Sequence, residues 1–365
     1  MSSRSEKEAA RKLRDKITQS DKGIPVATES WTVEQYFGYW LDQMVKVKRP
    51  KTYQGYEGIV RRYIVPELGR RQLERLTVQD VRAMITRLQL DCRCCRDGID
   101  AARTPDKQQC CVVNNCCCKT LSVRSVQYIH AVLRAGLQQA MREDLVMRNV
   151  AKLVQVQAPN HRVDRGLSAA EAMRLLELAK ADRLHALYVL ALYLGMRRAG
   201  LLGLPWEAVD LDQGVLEVRQ SLQRVRGELR LVATKSRSSE RPEPLPDVCV
   251  RALKAHRAKQ AGELLAAGVP GCGLVFTTSV GTPIEPDNLR RSWYALRKRA
   301  GLLNMRFHDL RHSCVTLLLD LGVPPHIVMR IVGHATLDVT MGIYAHAALD
   351  EQRQALRKLE DRLSG

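Results

Sequence analysis

Four polar side chains near the C-terminal end of this 365-residue chain have the types and spacing of a reaction centre. His308 and Arg311 lie in the string His-Asp-Leu-Arg-His, His334 follows Gly333, and Tyr344 comes ten residues after His334. Histidine can transfer protons, arginine can stabilise a developing anion and the tyrosine hydroxyl can act as a nucleophile. Phosphoryl transfer through a covalent enzyme intermediate requires this combination. Taken one at a time, the same residues also fit a helix-surface histidine, a helix C-cap glycine and a core tyrosine.

A second concentration of reactive side chains lies between residues 92 and 118, which hold eight of the 11 cysteines. Cys92 and Cys95 form a C-x-x-C pair, and Cys111 with Cys116 or Cys117 would complete four thiolates suited to a structural, tetrahedral zinc ion. The segment lacks apolar periodicity, and a loop of this length needs an internal link in order to be ordered. A reduced, disordered insertion remains the alternative, because the spacing is not a standard pair of C-x-x-C motifs.

The charge balance indicates a polyanionic partner. The chain has 58 Lys and Arg against 39 Asp and Glu, a net charge of +19 and a pI near 9.7. Nucleic acid and an anionic membrane surface both fit this charge. The longest apolar run, residues 184–196, is too short to span a bilayer. Residues 1–16 lack the apolar stretch of an export signal, so we expect a cytoplasmic protein without membrane partners, in which cysteines stay reduced.

Helical patterns dominate the first half of the chain, and the length favours two domains. Residues 6–22 are typical of a charged, mostly solvated helix. Apolar residues recur at three- and four-residue steps from residue 31 to 149, with Thr77 placed as an N-cap. This pattern predicts an all-helical domain. The polar stretch at 157–166 is typical of an interdomain linker.

The second half combines helices with a few strands. Ser168 and Glu171 have the spacing of a capping box that opens a helix. Alternating segments at 215–221 and 229–233, followed by Leu245, predict a small antiparallel sheet. Helices then resume at residue 248 and continue to the C-terminus. The sequence therefore predicts a protein that is mainly α with a small antiparallel β-sheet.

The order His-x-x-Arg, Gly-His and Tyr, within 37 residues of a basic chain, resembles the tyrosine recombinase (phage integrase) family. The resemblance extends over roughly residues 31–350. It implies the integrase of a bacterial phage or integrative element, with an all-helical core-DNA-binding domain at 31–158 and an α+β catalytic domain at 159–365. The Cys-rich segment is then an insertion, at 92–118, in the first domain.

The family's reaction implies the partners of this chain. The two domains would form a C-shaped clamp on duplex DNA at attachment-type recombination sites, and four copies would exchange two duplexes as a homo-tetramer. Accessory DNA-bending or directionality proteins would be further partners. The ester-bond energy stays in the phosphotyrosine intermediate, so no nucleotide or metal cofactor is expected for catalysis, and the chain contains no Walker-type string. Any zinc would be structural.

Two further catalytic residues follow from the resemblance. In the family a Gly-x-Arg segment supplies the first catalytic arginine, which places that role on Arg197, after Gly195. The string Thr-Lys-Ser at 234–236 matches the family's hairpin lysine, so Lys235 would donate a proton to the departing 5′ oxygen. Considered without the rest of the motif, Lys235 is better explained as a solvated lysine in a turn.

The other roles follow from the reaction. Arg197 and Arg311 would clamp the phosphate oxygens by paired hydrogen bonds, and His334 would add a donor to a non-bridging oxygen. His308 would take the proton from the attacking phenol of Tyr344 or relay it. Because a free tyrosine has a pKa of about 10, the neighbouring cations are expected to favour the phenolate.

The chain departs from the family's pattern at three places. Gly200 stands where a Glu or Asp usually braces the arginine-bearing turn, and Pro205 stands where a basic residue is common. Only about 30 residues precede Trp31, so residues 1–30 are expected to be a basic helix and linker without the arm-binding domain of many integrases. The short amphipathic pattern at 350–363 resembles the family's tail, which docks on a neighbouring copy.

Two other functions remain open. A type IB topoisomerase-like enzyme would share the same residues but only relax supercoils. A DNA-binding relative whose catalysis is weakened through Gly200 and Pro205 would bind the same sites without efficient cleavage.

Overall fold

The computed structural model describes residues 31–113, 115–157, 166–233 and 242–333, together with positions 10, 336, 337, 341, 357 and 360. The chain divides into two compact units, residues 1–161 and 162–365. The predicted helix at 6–22, most of the predicted linker at 157–166 and the predicted amphipathic helix at 350–363 lie outside the described residues, apart from single positions.

The first unit consists of helices joined by turns and loops, without a strand of two or more residues among its described residues. Its helices are α1 (Val33–Val47), α2 (Pro50–Ile59), α3 (Val65–Leu68), α4 (Val78–Leu90), α5 (Arg93–Arg96) and α6 (Val123–Arg142). Short 3-10 turns lie at Leu73–Arg75, Pro105–Lys107 and Val150–Leu153. Capping boxes at Thr32 and Thr77 open α1 and α4, which confirms the N-cap predicted at Thr77. Apolar faces of these helices enclose one core, which includes Tyr36, Phe37 and Trp40.

Two local features shape this helical unit. The turn Val60–Ile64 between α2 and α3 is π-helical. Pro66 follows it and lacks the N–H that an α-helical turn needs, so the helix widens by one residue there. Gly136 in α6 allows a close crossing with α1, because a Cβ at that position would stand 2.4 Å from Phe37 Cε1. The Tyr36 hydroxyl donates to the Gly136 carbonyl at 2.9 Å across the same crossing.

The second unit is mainly helical with short strands. Its helices are α7 (Ala169–Ala179), α8 (His185–Tyr193), α9 (Arg198–Leu202), α10 (Asp247–Ala267), α11 (Pro286–Arg299), α12 (Asp309–Asp320) and α13 (Pro325–Val332). The capping box of Ser168 and Glu171 opens α7 as predicted. Helix α8 is buried from Ala186 to Leu192, and α7, α10 and α12 pack around it. The fold is therefore mainly α with small antiparallel sheets, which confirms the predicted class.

The strands of the described residues form two small antiparallel sheets, where the sequence pattern predicted a single one. They are β1 (Val209–Asp210), β2 (Val215–Glu217), β3 (Gln220–Val225), β4 (Glu228–Ala233) and β5 (Pro242–Pro244). The three-stranded antiparallel sheet has the order β1-β2-β5, and β3 and β4 form a separate hairpin. The segment predicted as one strand at 215–221 therefore ends at Glu217 and restarts at Gln220. Alternation of apolar residues cannot reveal this break, because each half pairs with a different partner.

None of the helices in the described part of the chain is long and apolar enough to cross a membrane.

Candidate active site

Gly195 forms the turn that precedes Arg197. Its backbone has a φ of +58°, and a Cβ there would stand 2.8 Å from Val332 Cγ1. Glycine alone avoids both the backbone strain and the overlap. The chain therefore turns sharply after α8 and carries Arg197, at the N-cap of α9, close to the end of α13.

Backbone carbonyls hold two arginines at this turn. Arg311 lies in the first turn of α12, is only 3% exposed, and donates from Nη1 to the Gly195 carbonyl at 2.6 Å. Arg197 is more exposed and donates from Nη2 to the Gly333 carbonyl at 3.2 Å. The first of these hydrogen bonds joins residues 116 positions apart in sequence, and the second joins residues 136 positions apart. Together they bring the two arginines to one place.

The two guanidinium groups form a positive centre that favours an anion. Burial and, to a smaller extent, the charge of Arg197 together lower the pKa of Arg311 to about 9. Burial also lowers the pKa of Arg197. Burial and the repulsion between the two arginines both disfavour the charged guanidinium groups, and a bound anion would offset both. A phosphate diester, with two non-bridging oxygens, suits two paired guanidinium donors.

His308 lies at the N-cap of α12, beside this positive centre. The residue is exposed, and its ring also contacts that of His312. Partial burial, followed by the nearby charges of His312, Arg311 and Arg197, lowers its pKa to about 4. The imidazole is therefore neutral at pH 7 and able to accept a proton, which a general base must do.

His312 is a site residue to which the sequence pattern assigned no role. Its ring lies edge-to-face against that of His308, with centroids 5.1 Å apart. Its Nδ1 atom is buried and has no hydrogen-bond partner among the described residues. The four-residue spacing of the two histidines on one helix was the available signal, because residues i and i+4 are neighbours on a helix surface.

A cleft of about 460 Å³ opens beside Arg197 and His308. Its lining includes the basic residues Arg197, Arg198, Arg290, Arg306 and His308, and the aromatic residues Trp293, Tyr294 and Phe307. None of the described residues that line it is acidic, so the cleft is suited to a polyanion. Arg290 and Arg306 were not identified from the sequence, because isolated arginines on a basic chain carry no signal by themselves.

Three of the six predicted catalytic residues lie outside the described residues. Arg197, His308 and Arg311 are brought together, whereas Lys235, His334 and Tyr344 fall outside the part of the chain that the structure describes. Described residues lie close to two of them in sequence: β4 ends at Ala233, two residues before Lys235, and Gly333, directly before His334, closes α13 with a φ of +66°. The roles of these three residues remain proposals.

Gly200 occupies a buried position in α9. A Cβ there would stand 3.2 Å from Val218 Cγ1, so a longer side chain requires Val218 to shift by a few tenths of an ångström. The carboxylate that the family usually has at this position is absent, and Arg197 is held by the Gly333 carbonyl. Helix α9 ends at Leu202, and Pro205 lies beyond it at the start of a 3-10 turn.

The lowered pKa of His308 predicts how the stability of the protein depends on pH. In the free protein we expect the His308 imidazole to titrate well below 6.5, near 4. The unfolded histidine binds the proton more readily, so His308 lowers the stability of the folded protein as the pH falls from about 6.5 to about 4. Inorganic phosphate should raise the His308 pKa, because an anion offsets the two arginine charges. An NMR titration of the histidine signals, with that of His308 assigned through His308→Gln, measures this pKa with and without phosphate. A midpoint at or above 6.5 in phosphate-free buffer would show that the positive centre does not act on the ring.

The cysteines of the first unit form a second candidate site. Two groups of four have sulfur atoms that all lie within 4.8 Å of one another. One group is Cys92, Cys95, Cys111 and Cys116, the set predicted from the sequence to hold a structural zinc ion, and the other is Cys94, Cys110, Cys111 and Cys117. All of these cysteines are free thiols. Both groups have the ligand type and number of a structural zinc site.

Family models match most of the chain. The description "Phage integrase family" matches residues 165–351, and "Phage integrase, N-terminal SAM-like domain" matches residues 32–89. The chain is similar to an integrase of Streptomyces ambofaciens, with 31% identity over 94% of this chain and 83% of that protein. It is also similar to a XerC-like tyrosine recombinase of Caldanaerobacter subterraneus, with 26% identity over 98% of this chain and 90% of the relative.

Solved structures share the fold. The Tn1549 transposon integrase in complex with transposon right-end DNA superposes with a TM-score of 0.70, covering 90% of this chain and 99% of that chain at 20% identity. A lambda integrase dimer bound to a COC′ core site has a TM-score of 0.54, covering 91% of this chain and 80% of that chain at 17% identity.

Proposed function

Because the chain belongs to the phage integrase family of tyrosine-type site-specific DNA recombinases, we propose that it cuts and rejoins duplex DNA through a 3′-phosphotyrosine intermediate on Tyr344. One observation carries this proposal. Arg311 and Arg197 converge from two helices that are distant in sequence, and they lie beside a histidine that is neutral at pH 7. Such a centre binds a phosphate and accepts a proton next to it.

Each step of the proposed reaction uses a named group. The Tyr344 oxygen attacks the scissile phosphorus, the bond from phosphorus to the 5′ oxygen breaks, and His308 accepts the phenol proton. Arg197 and Arg311 stabilise the charge that builds on the non-bridging oxygens. A 5′ hydroxyl of another strand then attacks the phosphotyrosine and releases Tyr344. The number of phosphoester bonds is conserved, so catalysis uses no cofactor.

Two more residues complete the proposed centre. His334 follows Gly333, whose carbonyl accepts from Arg197, and would donate to a non-bridging oxygen. Lys235 follows β4 by two residues and would protonate the 5′ oxygen as it departs. An alkoxide is a poor leaving group, so this proton transfer is needed for cleavage at neutral pH.

Duplex DNA is the proposed substrate and partner. The net charge of +19 and the basic cleft of the second unit fit a polyanion. The first unit has its own cleft, of about 630 Å³, whose lining includes Lys51, Arg61, Arg62 and Arg93. Lysine and arginine side chains on helices suit contact with the phosphate backbone. The related Tn1549 and lambda integrases are described in complex with DNA. A homo-tetramer on paired sites, with accessory DNA-bending or directionality proteins, would carry out strand exchange.

A nicked suicide substrate tests the proposal. When the 5′ hydroxyl departs on a short fragment that diffuses away, the covalent intermediate cannot reverse and accumulates as protein attached to DNA. Candidate sites can be selected from random duplexes by binding. Covalent adducts together with strand exchange between two sites support the recombinase. Adducts with supercoil relaxation but no exchange would indicate the topoisomerase-like enzyme, and tight binding without any adduct would indicate the catalytically weakened relative.

Replacing Lys235 by alanine should slow single-turnover cleavage by about 10²- to 10⁴-fold, as expected for loss of a general acid. A 5′-thio leaving group does not need protonation, and it should restore most of the rate in Lys235→Ala. The control is Lys254→Ala on the exposed surface of α10, which should cleave both substrates at the wild-type rate. If the thio substrate gives no rescue, another group is the proton donor.

A further inference from the structure

We propose that the Cys-rich segment binds two zinc ions that share one thiolate, that of Cys111. Within each group of four, the sulfur atoms all lie within 4.8 Å of one another, and Cys111 belongs to both groups. Two four-thiolate sites with one shared sulfur use seven cysteines. The eighth cysteine of the segment, Cys118, is exposed and belongs to neither group. The sequence pattern had predicted one ion only.

The distances between sulfur atoms fit ligands of common metal ions. Zinc binds thiolates at about 2.3 Å, so the edge of a tetrahedral site is about 3.8 Å. The separations are 3.8 Å for Cys92 and Cys111, 3.5 Å for Cys95 and Cys116, 3.7 Å for Cys94 and Cys110, and 3.7 Å for Cys111 and Cys117. The first two pairs belong to one group and the last two to the other. A [4Fe–4S] cluster fits less well, because each of its four cysteines binds a different iron atom and their sulfur atoms stand farther apart.

Backbone N–H groups donate hydrogen bonds to two of the sulfur atoms, including that of Cys111. The Cys117 N–H donates to Cys111 Sγ at 3.4 Å, and the Cys118 N–H donates to Cys116 Sγ at 3.4 Å. Such donors reduce the negative charge of metal-bound thiolates and orient them. Seven thiolates outweigh the four positive charges of two zinc ions. Within residues 92–118, the basic residues outnumber the acidic ones by one, so the side chains other than cysteine add a single positive charge: Arg93, Arg96, Arg103 and Lys107 against Asp97, Asp100 and Asp106.

Asp100 positions the turn that carries Cys110 and Cys111. Its carboxylate is 1% exposed and accepts the backbone N–H groups of Gln109 at 3.0 Å, Cys110 at 3.0 Å and Val112 at 3.2 Å. These three hydrogen bonds hold the backbone of the turn in place. At the base of the segment the Arg93 N–H donates to the Lys119 carbonyl at 2.8 Å. The segment therefore has a fixed frame around its sulfur atoms.

Metal content measures the number of ions directly. The full chain is purified with reducing agent and zinc chloride, freed of loose metal by gel filtration, and assayed for zinc by mass spectrometry. We expect about two zinc ions per chain. Cys95→Ser and Cys94→Ser each remove a ligand of one site and should each leave about one ion, whereas Cys111→Ser should affect both sites. Cys118→Ser is the matched control and should retain both ions.

Cadmium tests the shared sulfur separately. Protein loaded with ¹¹³Cd should show two resonances of equal intensity in the all-thiolate range, with scalar coupling between them through Cys111. One ion per chain, iron, or no metal in wild-type protein would overturn the proposal, and two uncoupled cadmium signals would overturn the bridge. The wild-type measurement decides the number of ions even if a variant folds poorly, and it does not depend on recombination.

Discussion

Replacing Tyr344 by phenylalanine should abolish the covalent protein–DNA adduct while leaving the affinity for duplex DNA within about twofold of wild type. The change removes only the phenolic oxygen, which is the proposed nucleophile. Most of the affinity is expected to come from contacts between basic residues elsewhere in the chain and the phosphate backbone. The measurement pairs a suicide-substrate assay with binding at fixed salt.

Tyr193→Phe is the matched control, because Tyr193 is another tyrosine of the second unit with an exposed side chain. This variant should form the adduct at the wild-type rate. Adduct formation by Tyr344→Phe would show that a different residue attacks the phosphate. Tyr294 would then be examined first, since it is 46% exposed and lines the cleft beside Arg197 and His308.

Replacing Arg311 by lysine should reduce the single-turnover cleavage rate by about 10²- to 10³-fold, the usual cost of removing one preorganised donor to a developing oxyanion. Lysine keeps the positive charge but cannot form two parallel hydrogen bonds in a fixed plane. Arg311 is buried and already donates to the Gly195 carbonyl, so its remaining donors are held in one orientation. A shorter, rotating ammonium group lacks this orientation.

Thermal unfolding distinguishes a catalytic effect from a structural one. Arg251→Lys, on the exposed face of α10, makes the same chemical change away from the site and should cleave normally. If Arg311→Lys cleaves at the wild-type rate, or loses activity only in proportion to unfolding, the arginine supports the turn at Gly195 and does not act on the phosphate.

Local signals in the sequence predicted the elements well. Thr77 and Ser168 open helices through the hydrogen bonds that their motifs require, since capping depends on neighbours three residues away. The break between Glu217 and Gln220 was missed, because the partners of β2 and β3 lie elsewhere in the chain. Pairing between strands depends on contacts that local periodicity does not encode.

The candidate site was predictable in its residue types and less so in its surroundings. Arg197, His308 and Arg311 were identified because they match a family motif, and the structure places them together. The contact of His312 with His308 and the buried carboxylate of Asp100 were not foreseen. Both depend on which side chains lose water on folding, and a sequence alone does not show burial. The second set of four thiolates likewise depends on how one loop folds on itself.

Identifying the residue that becomes attached to DNA is the most direct test of the proposed mechanism. Adduct from the suicide substrate is digested with nuclease and trypsin, and the nucleotide-bearing peptide is sequenced by tandem mass spectrometry. The tryptic peptide of residues 331–353 contains Tyr344 as its only tyrosine, and Tyr294 falls in the separate peptide of residues 292–297. We predict that the nucleotide is attached through its 3′ phosphate to Tyr344. Attachment to Tyr294, to any other residue, or through a 5′ phosphate would contradict the proposed mechanism.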